Sequence, residues 1–216
     1  MNREEICYKI REVGVIPSVR VKSADLALFA VEFIAAGGIP IAEIAATIPG
    51  STALIADIRQ RFPAVITGAE ALSLRDAERQ FEAGAQFLTA PAFQPEIAVF
   101  CRQHDCGFIP GALTPTEILA AHQSGADFVK VFPVGEVGGE KYIRALKAPL
   151  PQVALIAAGG VTQSAAMAYI HAGAAALGVG EDLIPRQALR FREGAWIREL
   201  ALRFRKFVEQ ARNPHH

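Results

Sequence analysis

Cysteine is scarce in this chain: 216 residues carry three, at Cys7, Cys101 and Cys106. Their number is odd and no two form a CxxC pair. That excludes a disulfide framework and offers no zinc-binding spacing. Net charge is absent too, since 22 basic side chains face 22 acidic ones. A balanced chain has no basic field for nucleic acid and no polybasic stretch for a membrane surface. Long apolar runs are missing as well. The most apolar stretch, 26–49, is broken by Glu32, Glu43, glycines and proline, so it is not a membrane span. The first eleven residues are charged and lack the apolar core of a secretory signal. A soluble cytoplasmic protein is expected. What the chain has in quantity is core: 51% hydrophobic residues against 20% charged, enough for one large domain or two small ones.

Four segments share one grammar: Ala36-Gly37-Gly38-Ile39, Ala83-Gly84-Ala85-Gln86, Ser124-Gly125-Ala126-Asp127 and Ala172-Gly173-Ala174-Ala175. Each follows a helical pattern and precedes an apolar run. The glycine suits the left-handed conformation that ends a helix. Gly37, Gly84, Gly125 and Gly173 recur 47, 41 and 48 residues apart. A strand–helix unit takes fewer than about 30 residues, so each interval holds two units and the chain holds eight. Strands are predicted near 15–21, 40–45, 64–67, 87–89, 108–110, 128–132, 153–157 and 175–179. Helix starts are marked by Ser23, Ser51, Ser73 and Thr162. Thr114-Pro115-Thr116-Glu117 is a fuller signal, with a cap, a first-turn proline and a capping-box glutamate. Alternating strands and helices imply parallel strands. Eight in this length imply an α/β fold, a single (β/α)8 TIM barrel over residues 1–216, rather than an open doubly wound sheet. Residues 196–212 read as a final amphipathic helix, with 213–216 as a frayed tail.

Lys130 is the most incongruous residue. It sits in Phe128-Val129-Lys130-Val131-Phe132-Pro133, an apolar run that reads as a buried strand ended by proline. Taking an ammonium out of water favours the neutral amine, the form that attacks a carbonyl. The other possibility is a lysine on an exposed sheet face. Glu43 is equally out of place in Ile41-Ala42-Glu43-Ile44. A carboxylate there can carry protons for an amine's chemistry, or be the structural ion-pair partner of Lys130 or Arg20. Arg20 ends the first strand, where it could clamp a carboxylate or phosphate, or lie in solvent. Gly159-Gly160 follows the seventh strand and Gly178-Val179-Gly180 ends the eighth. Loops there commonly hold phosphate in such barrels. His104, His122 and His171 fall in helical segments and His215 and His216 in the tail. No strand end carries a His/Asp/Glu cluster for a catalytic metal, and no nucleophile elbow or phosphate-binding P-loop occurs.

Together these residues resemble the class I 2-keto-3-deoxy-6-phosphogluconate (KDPG) and 4-hydroxy-2-oxoglutarate (KHG) aldolases. The likeness spans nearly the whole chain and is closest over 125–182. Arg20, with no arginine after Glu43, places it nearer the 6-phosphogalactonate branch. The resemblance implies that Lys130 forms the Schiff base and Glu43 is the general acid/base. Arg20, Thr47, Pro91 and Phe132 then contact substrate, and Gly159, Gly160, Gly178 and Gly180 hold phosphate. It also implies no metal or other cofactor, and a homotrimer. The expected reaction cleaves a 2-keto-3-deoxy sugar acid, 6-phosphorylated, to pyruvate and an aldehyde, or 4-hydroxy-2-oxoglutarate to pyruvate and glyoxylate. A 2-oxoacid decarboxylase or phosphate-binding isomerase on the same barrel, or a silent barrel that senses a sugar acid, are the rival readings. Three departures stand out: Thr47 where the gluconate branch has arginine, Gly68-Ala69-Glu70-Ala71 for the family's Gly-Ala-Gly-Thr, and Glu181 for a common serine. Arg186 is near enough in sequence to turn Glu181 away from a phosphate.

Overall fold

The computed structural model describes residues 1–213. It begins with a helix the sequence reading passed over, α1 (Arg3–Val13). Asn2 and Glu5 form a reciprocal capping box at its start, and Gly14 ends it at a φ of 68°. Strands and helices then alternate: β1 (Val15–Val19), α2 (Ala24–Ala36), β2 (Ile41–Ile44), α3 (Ser51–Arg61), β3 (Ile66–Glu70) and α4 (Leu74–Glu82). β4 (Phe87–Ala90), α5 (Pro95–Gln103), β5 (Gly107–Ala112) and α6 (Pro115–Gln123) follow. β6 (Val129–Val131) passes through a short 3-10 turn, Val134–Val137, into α7 (Glu140–Lys147). β7 (Leu155–Ala158), α8 (Ala166–His171), β8 (Ala176–Val179) and α9 (Arg186–Arg190) complete the alternation before α10 (Gly194–Arg212). Every neighbouring strand pair is parallel and β8 pairs back to β1, so the sheet closes into the expected (β/α)8 barrel. No helix among the described residues is long and apolar enough to cross a membrane.

Register fixes which side chains face inward. Glu43 on β2 and Lys130 on β6 meet across the barrel, which makes theirs the interior face. Gly68 is the register partner of Glu43, and Phe87 that of Gly68, so both share that face. A Cβ on Gly68 would lie 2.1 Å from the Phe87 ring. The glycine therefore makes room for a phenyl group that fills the barrel beneath the mouth. Burying such a ring contributes roughly 1.5–3 kcal/mol. Gly111 does the same for the backbone: a Cβ there would meet the Pro91 carbonyl oxygen at 2.1 Å. β5 can thus run close under the Pro91 loop, beside its register partner Lys130.

The repeated segments have a common structural role at the floor, the N-terminal end of the strands. Each is gripped by at least one arginine from a helix. Arg205 donates to Gly38 O at 2.7 Å and Arg212 to Ala175 O at 2.8 Å. Arg59 donates to Gln86 Oε1, which also accepts from the Thr67 N–H. Arg3 Nε donates to both Asp127 oxygens at 2.9 and 3.0 Å, its NH2 group donates to Gly125 O, and Asp127 accepts from the Phe108 N–H.

Several local expectations shift. The left-handed glycine of the first repeat is Gly38 (φ 83°), with Gly37 at −82° inside the helix cap. Ser23 and Ser73 cap their helices, and Thr114 with Glu117 forms the capping box, whose N–H groups of Thr114 and Leu113 hold the Glu117 carboxyl below the usual carboxylate range. Ser51 is instead the first helical residue, behind a left-handed Gly50 without a side-chain cap. Thr162 lies in a turn, its hydroxyl 3.0 Å from that of Ser164, and α8 starts at Ala166. β3 runs to Glu70 rather than Thr67, because it pairs with β2 through Ala69 and with β4 through Glu70. Of the tail expected at 213–216, only Asn213 lies among the described residues.

Candidate active site

One cavity of about 410 Å³ opens at the C-terminal ends of the strands. Its wall includes Arg20, Glu43, Pro91, Lys130, Phe132, Gly159, Gly160, Gly178 and Gly180. Nine of the ten residues singled out in the sequence therefore converge. Thr47 does not line the cavity; its hydroxyl sits at the rim and accepts from Arg20 NH1 at 3.1 Å. A larger depression of about 650 Å³ lies on the outer surface between α4 and α5, and none of the nine residues lines it.

At the centre, Lys130 Nζ stands 3.7 Å from Glu43 Oε1. Both residues are buried, at 7% and 4% exposure. The distance is beyond hydrogen-bond reach, so the amine is next to a carboxylate without being locked to it. Ser18, the register partner of Glu43 on β1, donates to the same Oε1 at 3.2 Å and steadies it. Among the described residues no hydrogen bond ties up the Lys130 amine, and no group of three or more His, Cys, Asp or Glu could hold a metal ion.

Around this pair the wall divides by chemistry. Phe132, Pro91, Val161, Ile184 and Leu189 form apolar sides. Gly159 and Gly160 both hold φ near 80°, a conformation that side chains rarely adopt. Gly159 also lies under Phe132, whose ring a Cβ would meet at 2.9 Å. At the outer edge Glu181 and Arg186 pair at 3.3 Å with their side chains 67% and 87% exposed. The carboxylate is turned toward solvent, as its sequence neighbour suggested.

The sequence reading missed the partner of Arg20. One guanidinium nitrogen of Arg20 donates to both oxygens of Glu70, at 2.8 and 2.9 Å. Glu70 Oε2 also accepts from the Ala46 N–H at 3.3 Å, and Gln80 donates to the Glu70 carbonyl at 2.8 Å. The carboxylate is buried while the arginine is half exposed. In the sequence Glu70 stands out only as a departure from the family's Gly-Ala-Gly-Thr. Its inward position follows from the register of β3, which the sequence does not display.

The model of the KDPG and KHG aldolase family matches residues 6–200. A 2-dehydro-3-deoxy-phosphogluconate aldolase of Treponema pallidum (strain Nichols) is 31% identical over 83% of this chain and 86% of its own. A 2-dehydro-3-deoxy-6-phosphogalactonate aldolase of Escherichia coli (strain K12) is 34% identical over 60% of each chain. A solved native KDPGal structure, 28% identical, matches with a TM-score of 0.83 over 91% of this chain and 95% of that one.

Proposed function

The chain belongs to the KDPG and KHG aldolase family, and from that premise we propose that Lys130 is the Schiff-base lysine of a class I aldolase, with Glu43 as its proton carrier. The protein is an aldehyde-lyase, and its substrate in this reading is a 2-keto-3-deoxy sugar acid, with a 6-phosphate. The observation that carries the assignment is the buried, unlocked pair: an amine and a carboxylate 3.7 Å apart inside the cavity at the strand ends.

The chemistry then runs as follows. Glu43 takes a proton from the Lys130 amino group, Nζ adds to the C2 carbonyl, and a second proton passes from Nζ to the carbinolamine oxygen, which leaves as water with the proton that Glu43 returns. The resulting iminium withdraws electrons from the C3–C4 bond. Glu43, now a carboxylate, takes the proton of the C4 hydroxyl as that bond breaks and the aldehyde departs. The enamine left on Lys130 is protonated at C3, and water releases pyruvate and the free amine. Ser18 keeps Glu43 in line through these exchanges. Phe132 and Pro91 keep bulk water off the imine. In this reading Arg20, hydrogen-bonded to Thr47, holds the substrate carboxylate. Gly159, Gly160, Gly178 and Gly180 leave room for a phosphate against the backbone.

Residues 1–216 form one catalytic domain in this reading, assembled as a cytoplasmic homotrimer. Light scattering at three times the 23.1 kDa of the chain tests the assembly. Retro-aldol turnover coupled to a pyruvate assay tests the activity. A panel of 2-keto-3-deoxy acids, each with and without 6-phosphate, tests the substrate. Turnover of the phosphorylated acids at higher kcat/KM is expected. Preference for the unphosphorylated acids would remove the phosphate, and no turnover of any member would leave a silent barrel.

A further inference from the structure

Each cation in the cavity wall already has a carboxylate beside it. Lys130 faces Glu43 at 3.7 Å, Arg186 faces Glu181 at 3.3 Å, and Arg20 faces Glu70 at 2.8 Å. Asp182 adds a fourth carboxylate to the three cations of that wall. The first pair is too long to be a hydrogen bond, and the second is mostly in solvent. The third is different. Arg20 spends one nitrogen on Glu70 and a second on Thr47, and Glu70 sits on the inward face of β3. A charged, chelated, buried carboxylate is in the place where Arg20 would receive the carboxylate of a substrate.

An unpartnered hydroxyl stands next to it. Thr89 is the register partner of Glu70 and is fully buried, and its hydroxyl has no hydrogen-bond partner. It lies two residues beyond Phe87 on β4, so it shares the inward face that Phe87 and Gly68 define. A buried hydroxyl without a partner loses free energy that a hydrogen bond would recover.

We infer that Glu70 is a specificity-determining residue: an internal carboxylate that competes with the substrate's carboxylate for Arg20. On binding, the substrate takes the Arg20 guanidinium, and Glu70 turns along its strand pair to accept from Thr89 Oγ1. The exchange gives Arg20 a new carboxylate and leaves Glu70 with a neutral hydroxyl donor in place of a cation, so the displacement costs free energy that the substrate must supply. Its consequence is selection. An oxoacid must be good enough to displace Glu70, whereas a carbonyl compound without a carboxylate need not displace it.

The inference rests on the aldolase reading, and one experiment separates the two. Wild type, Glu70→Gln and Thr89→Val are incubated with pyruvate or with acetone, a carbonyl lacking the carboxylate, and trapped with borohydride. The carbonyl concentration that half-saturates labelling at Lys130 is read by mass spectrometry. Glu70→Gln should lower the half-saturating pyruvate on the order of tenfold, the loss of one charge-assisted competitor. Its half-saturating acetone should stay the same. Thr89→Val should raise half-saturating pyruvate roughly 2–10-fold, the worth of one hydrogen bond, with no drop in melting temperature because that hydroxyl has no partner to lose. A purely structural role would shift stability and leave the pyruvate-to-acetone ratio alone. Labelling of Lys130 with unchanged or higher half-saturating pyruvate in Glu70→Gln, or an equal gain with acetone, overturns the competition. Unchanged pyruvate binding in Thr89→Val overturns the displaced position. No labelling of Lys130 in any protein overturns the aldolase reading itself.

Discussion

Asp127, at the floor of the barrel, accepts three hydrogen bonds, two from Arg3 and one from the Phe108 N–H. Glu43, at the mouth, accepts one, from Ser18, and its cation stands 3.7 Å away. Glu43 lies on β2 and Asp127 two residues before β6, and both have a basic partner from elsewhere in the chain. The floor pair is saturated; the mouth pair is left with capacity. A saturated pair resists change and so holds the strand starts in register. An unsaturated one leaves an amine and a carboxylate available to a third party. Both ends carry the same kinds of charge, and the proposed function uses the pair that is left unsaturated.

Removing the amine breaks the mouth and leaves the floor alone. Lys130→Met should abolish turnover and borohydride labelling with pyruvate. The protein should remain folded, because an aliphatic chain of similar length replaces a buried amine that makes no hydrogen bond. Persistent labelling, now at Lys22, Lys141, Lys147 or Lys206, would place the chemistry elsewhere. Unfolding would make Lys130 a structural residue like those of the floor.

The carboxylate gives the next effect in size. Glu43→Gln should reduce kcat by about 10²–10⁴-fold, the usual cost of a lost proton shuttle, and weaken pyruvate binding far less. If the variant instead melts early while its folded fraction turns over normally, Glu43 is a second Asp127 and the contrast between the two ends collapses.

How much of this contrast the sequence carried depended on chemical incongruity. Lys130 and Glu43 could be found because each is a charge among β-branched and aromatic neighbours, and one-dimensional context is enough to see that. The eight-unit barrel could be found because Gly84, Gly125 and Gly173 do take left-handed φ after their helices. Glu70 could not be placed, because Gly68 and Ala69 weaken the strand signal and β3 seemed to end at Thr67. Its inward orientation depends on pairing with β2 and β4, a non-local property. Thr89 is an ordinary strand residue until its hydroxyl is seen to lack a partner. The α1 helix was passed over although Asn2, Glu5 and Gly14 spell its two ends, because that segment was read for a secretory signal and not for caps.

The floor has its own test. Asp127→Ala leaves the Phe108 N–H and the Arg3 guanidinium without their acceptor, at a cost of about 1–3 kcal/mol. For a chain of this size that is about 2–4 °C of melting temperature per kcal/mol. Turnover per folded molecule should be unchanged. Cys7 reports the same region: burial, and then the nearby Asp127 charge, push its thiol up to about 12. Its alkylation near neutral pH should be slow in wild type and faster in Asp127→Ala, where one cause of that rise is gone. A loss of kcat at constant stability would mean that the two ends are coupled rather than separate.

Glu181 should give the smallest effect, and it sharpens the comparison within the mouth. It directly follows Gly178-Val179-Gly180, beside the proposed phosphate position, where a carboxylate pointing inward would repel the ligand. At about 4–6 Å and an effective dielectric near 20, that repulsion is on the order of a few kcal/mol, enough to raise KM more than tenfold. The side chain instead faces solvent beside Arg186, and an exposed pair of this kind contributes roughly 0–1 kcal/mol. Glu181→Ser should therefore change KM for the 6-phosphorylated acid by less than about fivefold and leave the melting temperature and the unphosphorylated analogue where they were. Raising the ionic strength should shrink even that difference, because exposed charges are screened. A fall in KM beyond tenfold, confined to the phosphorylated substrate, would mean that the carboxylate swings inward when substrate binds. The outer rim would then resemble the Arg20–Glu70 position, with a protein carboxylate opposing a ligand anion at both ends of the same cavity.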